Sequence, residues 1–344
     1  MPVFVEDESR PLRRRNGMWY NGENETERKI SVIWFLLALI LSVLAASYVC
    51  FRIAFYAPPR KPRDPEKIEI PQGKIYEVFR EDMENWVRQA RALNPEPVEI
   101  RSFDGLRLTG KYYEYAPGAP MELMFHGYRG GAERDLSGGV YRCFRCGRNA
   151  LVVDQRCAGG SEGNVITFGI KEHRDCLSWV DFAVKKFGPH VKIILTGISM
   201  GASTVLMAGG KELPPNVIGI LADCGYSTQK GIMYEVIRKM KLPPVLCYPF
   251  VRLAAKLFGG FNLEETTALE AVKRIKVPVI FFHGEADDLV PCYMSRELYD
   301  ACASRKRLVT IPGAGHGLAF PVDQECYLKE LLDFFGPEAS YRKA

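Results

Sequence analysis

The chain has 344 residues, room for one large domain or two small ones, and 47% apolar against 25% charged residues excludes wholesale disorder. Its 46 Lys and Arg against 41 Asp and Glu leave a formal net charge of +5, too small an excess for an electrostatic nucleic-acid binder. Ten cysteines at this length fall far below the density of a disulfide scaffold, and Cys143 and Cys146 form the one C-x-x-C pair, so a four-ligand zinc site has little support.

Residues 1–29 are polar and mixed in charge and read as a flexible tail. The next segment, Ile30 to Phe51, contains no charged residue. As a helix it spans about 33 Å, enough for a hydrocarbon core of about 30 Å. Core helices of soluble proteins seldom stay apolar on every side over such a length. A transmembrane helix is therefore expected over 30–51. The long polar stretch before it, and the lack of an A-x-A site after it, favour a retained anchor over a cleaved signal peptide. Arg13, Arg14, Arg15, Arg28 and Lys29 precede the span, and Arg52, Arg60, Lys61, Arg63 and Lys67 follow it. That balance leaves the orientation unset. Residues 52–66, with Pro58, Pro59, Pro62 and Pro65, read as a stiff, extended linker.

From Lys67 onward the pattern becomes that of a folded α/β domain, 67–344. Apolar residues at helical spacing between Lys74 and Leu93 predict an amphipathic helix. Val98 to Tyr115 alternates around Asp104-Gly105, a hairpin signal. Apolar runs follow at Met121–Phe125, Ala150–Val153, Lys192–Leu195, Val217–Leu221, Val277–Phe282 and Arg307–Ile311. Helical stretches near Arg134–Cys146, Lys171–Phe187, Ser199–Gly209, Met294–Ser304 and Val322–Phe335 lie between or after them. This alternation predicts a mostly parallel central sheet covered on both faces, with reactive groups at the carboxyl ends of its strands. Residues 226–267 break the alternation with a long apolar and aromatic insertion, read as a helical lid.

Gly197-Ile198-Ser199-Met200-Gly201 sits between a strand and a helix. A G-x-S-x-G in that setting turns the chain sharply and presents a serine hydroxyl above the sheet, at the positive end of a helix. A nucleophilic serine needs a base, and the chain has five histidines. His126 and His283 each end a strand and read as turn residues. His173 lies in a polar helix and reads as exposed, and His190 lies in a loop before a strand. His316, on the glycine-flanked loop beyond the last strand, is the best placed to reach Ser199. An orienting carboxylate is expected from another strand end, where Glu285, Asp287 and Asp288 are all available and position alone does not choose.

The order serine, acid, histidine in these settings resembles the α/β-hydrolase superfamily of serine hydrolases, of the bacterial esterase and S9 and S33 peptidase-like type. His283 to Pro291 is similar to that family's H-G-x-x-D-x-x-V-P element, which selects Asp287 as the acid. Phe125-His126-Gly127-Tyr128 resembles its H-G-x element, and the resemblance implies an oxyanion hole from the backbone N–H groups of Tyr128 and Met200. Asp154-Gln155-Arg156 followed by Gly160-Ser161-Glu162-Gly163 resembles the family's loop after the fourth strand, a structural element. The resemblance covers roughly residues 98–335. It implies an α/β-hydrolase fold and a Ser199–His316–Asp287 triad, with no metal and no organic cofactor.

The expected activity is hydrolysis of carboxylic esters through an acyl-enzyme. A serine aminopeptidase or a thioesterase acting on acylated substrates shares the same triad. The aminopeptidase needs carboxylates for a free ammonium, and the insertion offers Glu235, Glu264 and Glu265. Met233, Tyr234 and Ile237 are the expected substrate contacts within the insertion. Lys230, Arg238, Lys239, Lys241, Arg252 and Lys256 make the insertion basic, a character suited to anionic lipid headgroups. The expected partners are thus a small acyl ester or peptide and a lipid bilayer through 30–51, with no nucleic acid; the oligomeric state is not readable from the sequence.

Overall fold

The computed structural model describes residues 14–15, 18–19, 25–58, 64 and 66–341, and the chain divides into two units, Met1–Val49 and Cys50–Ala344. In the first unit Arg14–Arg15 pairs antiparallel with Met18–Trp19. Most of the expected flexible tail lies outside the described residues, as do 59–63 and 65 of the expected linker. Helix α1 covers Glu25–Ala54. Among the described residues, its stretch Thr26–Ala54 is the one helix long and apolar enough to cross a membrane.

The second unit is built on an eight-stranded sheet. Its strands are β1 (Glu96–Arg101), β2 (Arg107–Tyr113), β3 (Met121–Phe125), β4 (Asn149–Val153), β5 (Ile193–Ile198), β6 (Val217–Asp223), β7 (Val279–Gly284) and β8 (Lys306–Ile311). Their spatial order is β1-β2-β4-β3-β5-β6-β7-β8. The β1–β2 and β2–β4 pairs are antiparallel and all others are parallel. The β1–β2 hairpin turns at Gly105, whose φ of +90° is open to glycine at no steric cost. The chain crosses over after each strand from β3 to β7, which parallel pairing requires.

The principal helices of this unit are α2 (Arg80–Ala92), α3 (Ala132–Arg145), α4 (Glu172–Phe187), α5 (Met200–Gly209), α6 (Gln229–Lys239), α7 (Pro244–Leu257), α8 (Tyr293–Ala301) and α9 (Gln324–Phe335). Strands β3, β4 and β7 are buried along their whole length, because helices cover both faces. On one face Leu123, Leu195, Phe281 and Trp179 share a core with α5, while Ile194, Leu221, Phe282 and Tyr327 pack together on the other. Residues 226–267 fold as α6 and α7 with the turns that flank them.

Residues 52–58 differ from the stiff spacer expected over 52–66. Phe55 is fully buried, with its ring edge-on to Phe168 and Phe261. The Ala57 N–H donates to the Asn164 carbonyl, the Ile166 N–H donates to that of Phe55, and Tyr56 pairs with Val165 as an isolated bridge. The aromatic side chains of this segment gain more by burial than an extended linker would offer them.

Candidate active site

Ser199 occupies the turn between β5 and α5 with φ +56° and ψ −120°, a conformation strained for a residue with a Cβ. Two close approaches hold it there. A Cβ on Gly197 would lie 2.2 Å from the Gly201 carbonyl carbon, and one on Gly201 would lie 2.0 Å from the Phe125 oxygen. Only glycines let the strand, the turn and the helix meet at this distance. The Ser199 N–H donates to the Asp223 carbonyl at 2.8 Å, which ties the turn to the end of β6.

His316 arrives on the loop after β8. Its Nε2 lies 2.9 Å from Ser199 Oγ, and its Nδ1 lies 2.7 Å from Asp287 Oδ2. Asp287 sits beyond the end of β7 and is buried. Its Oδ1 accepts from the N–H groups of Leu289 and Val290, both at 2.9 Å. His283 Nε2 lies 3.2 Å from Asp287 Oδ2 and 2.7 Å from the Val290 carbonyl. A carbonyl only accepts, so this contact places the proton on Nε2, and Nδ1 then accepts from Ser295 Oγ at 2.6 Å. Burial raises the Asp287 pKa, but the hydrogen bonds from His283 and His316 outweigh it and hold the carboxyl well below the usual range.

The structure thus brings Ser199, His316 and Asp287 into one hydrogen-bonded chain. Glu285 instead accepts from Thr310, and Asp288 pairs with Lys239. Two supporting residues escape sequence reasoning. His283 reads as a turn residue, yet it also braces Asp287. The Tyr76 hydroxyl donates to the His316 carbonyl at 3.1 Å, across 240 residues of sequence. No pattern near Tyr76 could have signalled this contact.

The loop carrying Tyr128 abuts the serine, since a Cβ on Gly127 would lie 3.4 Å from Ser199 Cβ. Met200 opens α5, where backbone N–H groups lack helical partners. The Tyr128 side chain turns elsewhere, and its hydroxyl donates to the Ala54 carbonyl at 2.9 Å. His126 is a structural residue whose Nε2 accepts the Gln155 N–H. His173, expected to be exposed, is buried, with its Nδ1 2.9 Å from the Gly169 carbonyl. Burial lowers its pKa and favours the neutral ring. In the Asp154–Gly163 loop, Arg156 forms a buried ion pair with Asp175 and a partly exposed one with Asp104.

A cavity of about 380 Å³ opens at Ser199 and His316, a size ordinary for a small-molecule site. Its apolar wall comes from Met83, Trp86, Met124, Leu136, Leu221 and Phe320. Met233, Tyr234 and Ile237, the expected substrate contacts, are absent from this lining. Met233 and Ile237 are buried in a cluster with Met200 and Phe261, and the Tyr234 ring packs edge-on to Tyr248. The wall therefore belongs to α2, α3, the sheet and the short helix Ala319–Val322, while α6 buries Met233 and Ile237 in the cluster that also holds Met200 and Phe55.

The possible ligating atoms of Cys224, Asp287 and His316 lie within 4.8 Å of one another. Burial raises the Cys224 thiol well above its ordinary value, which keeps it protonated, and the other two groups are already bonded in the chain that ends at Ser199. The donor set is a poor match for a resident cation.

The family model described as serine aminopeptidase, S33, matches residues 248–323. The chain is 27% identical to the uncharacterized protein YqkD of Bacillus subtilis over 189 residues, 55% of this chain and 62% of that protein. It is also 27% identical to an uncharacterized membrane protein of Saccharomyces cerevisiae over 197 residues, again 62% of the relative's length. Among solved structures, an esterase from Pyrococcus furiosus superimposes with a TM-score of 0.59 at 22% identity, over 78% of this chain and 97% of that one. Est1E from Butyrivibrio proteoclasticus, solved with ferulic acid bound, gives 0.55 at 22% identity, over 69% and 98%. These solved structures share the α/β-hydrolase fold with this chain.

Proposed function

We propose that this protein is a membrane-anchored serine hydrolase that cleaves carboxylic esters through an acyl-enzyme. The hydrogen-bonded chain from Ser199 Oγ through His316 to Asp287 is the observation that carries this reading. His316 Nε2 takes the serine proton as Oγ attacks the acyl carbon, and later returns it to the leaving alkoxide. Asp287 holds the proton on Nδ1 and stabilises the imidazolium that forms. The backbone N–H groups of Tyr128 and Met200 are assigned to the tetrahedral oxyanion, a contribution of about 3 kcal/mol per donor. Water then attacks the acyl-enzyme, with His316 as base, and releases the acid.

The apolar cavity wall favours an acyl or aryl group over a charged one. Paired carboxylates weigh against an aminopeptidase. Glu235 is bonded to Arg238 and Tyr293, and Glu264 to Tyr248 and Arg252. Within the cavity Asp135 is paired with Arg134, and burial raises the Asp223 pKa toward its neutral form. The uncharged run 30–51 and the naming of the yeast relative as a membrane protein support the anchor.

The test is kcat/KM of the full chain in detergent on p-nitrophenyl esters of increasing chain length. Ser199→Ala is expected to lose about 10⁴-fold or more in kcat. Turnover equal to that of Ser199→Ala on every ester would overturn the ester reading and move the assay to thioesters and peptides.

A further inference from the structure

Helix α7 is apolar on two opposite faces. Tyr248, Val251, Ala254 and Ala255 are buried against the body. On the outward side Leu246, Pro249, Leu253 and Leu257 follow one another at spacings of three and four, the period of one helical face. Leu246 is 67% exposed and Val245 beside it 70%. The turn that joins α6 to α7 adds exposed Met240 and Leu242. Scattered exposed leucines need no explanation, but an apolar stripe that runs the length of a helix opposite its buried face is ordinarily covered by protein or lipid.

Two observations identify what covers it. Phe51 is the last residue of the uncharged run, and Arg52 follows it. The Phe51 ring lies 5.9 Å from that of Phe258, the residue that ends α7, and Cys50 and Cys247 join the same apolar cluster. Both ends of α7 therefore border the place where the chain leaves its apolar segment. The second observation is charge. Arg238, Lys239, Lys241, Arg252 and Lys256 are exposed around the apolar stripe, which suits anionic headgroups.

We propose that the outward face of α7 and the α6–α7 turn lie in the interfacial layer of the membrane that residues 30–51 cross. The proposal rests on the anchor reading above. Val245, Leu246 and Leu257 enter the acyl-chain boundary, and Lys241 and Lys256 meet the headgroups. The segment is thus a second, peripheral membrane contact in addition to the span.

The full chain is reconstituted in phosphatidylcholine vesicles, with and without phosphatidylglycerol, that carry a trace of diazirine-acyl phosphatidylcholine. After irradiation, lipid label is mapped by peptide mass spectrometry. Label is expected on 30–51 and also on 240–257. Val245→Asp/Leu246→Asp is expected to lower the label on 240–257 about tenfold and to leave that on 30–51 unchanged. Lys241→Glu/Lys256→Glu is expected to lower it roughly fivefold per charge, and only in vesicles with phosphatidylglycerol. Label on 30–51 with none on 240–257 in the unaltered chain overturns the proposal and leaves the anchor standing. Label on neither overturns the anchor as well. Cross-links through 240–257 to a second copy, without lipid label there, assign the face to self-association and overturn the proposal. The unaltered chain decides these outcomes even if a variant fails to fold.

Discussion

Asp287 receives two backbone N–H groups and two imidazoles, more than is needed to orient a single histidine. In Asp287→Asn an amide replaces an acceptor-only group and favours the wrong tautomer of His316. We expect kcat to fall about 10⁴-fold, as measured on a short soluble ester. The same carboxylate affects stability with a definite sign. Its folded pKa is depressed, so its contribution is present above the unfolded value of about 3.9 and is lost as pH falls through the folded value. The stability difference between wild type and Asp287→Asn in urea unfolding is therefore expected to be largest near neutral pH and to shrink below about pH 4. At this scale the legibility was uneven. Ser199 and His316 stood out by strand-end position, whereas the choice of Asp287 over Glu285 and Asp288 came from the resemblance. His283 lies in the same H-G-x-x-D-x-x-V-P element as the carboxylate it braces, whereas Tyr76 acts through a contact across 240 residues that no local pattern encodes.

The β5–α5 turn is the element on which the site depends. Its glycines were legible because a sharp strand-to-helix turn has local requirements. The reason Gly201 cannot change is not local, since the obstruction is the Phe125 carbonyl on the neighbouring strand β3. Gly201→Ala would place a Cβ 2.0 Å from that oxygen, so α5 must shift and carry Ser199 away from His316. We expect a loss of about 10²-fold or more in kcat/KM, measured alongside thermal unfolding. Strand β3 also hides a charge inside an apolar run. Glu122 is fully buried and bonded to Arg142, Arg148 and Thr196. Burial raises its pKa, and the two guanidiniums outweigh burial and bring it to about 2. The sequence placed this residue in a core strand, and only the fold revealed what makes its burial tolerable.

For the molecule as a whole, the unit that begins at Cys50 includes the last turn of α1. The Arg129 guanidinium donates to the carbonyls of Ile53 and Tyr56, and the Tyr128 hydroxyl donates to that of Ala54. The loop assigned to the oxyanion therefore also grips the end of that helix. Phe55→Ala, with its ring lost from between Phe168 and Phe261, is expected to lower the unfolding free energy by about 3–5 kcal/mol, as read from denaturant unfolding in detergent. A chain cut at residue 67 is expected to be destabilised further, because it loses Phe51 and Ala57 as well.

By itself the sequence determined the uncharged run 30–51, the alternation of strands and helices, the G-x-S-x-G turn and the histidine loop beyond the last strand. Each is a matter of local composition, periodicity or turn chemistry, and such signals extend over a few residues to about two dozen. The tertiary structure decided the β1-β2-β4-β3-β5-β6-β7-β8 order and the burial of residues 52–58. It also decided which side chains line the cavity at Ser199. Periodicity marks a residue as buried but does not say against what. Met233 and Ile237 look in the sequence as suited to a pocket as Met83 and Trp86. Packing between elements far apart in the chain put the second pair on the wall of the cavity that opens at Ser199, and the first in a separate cluster with Met200, Phe55 and Phe261.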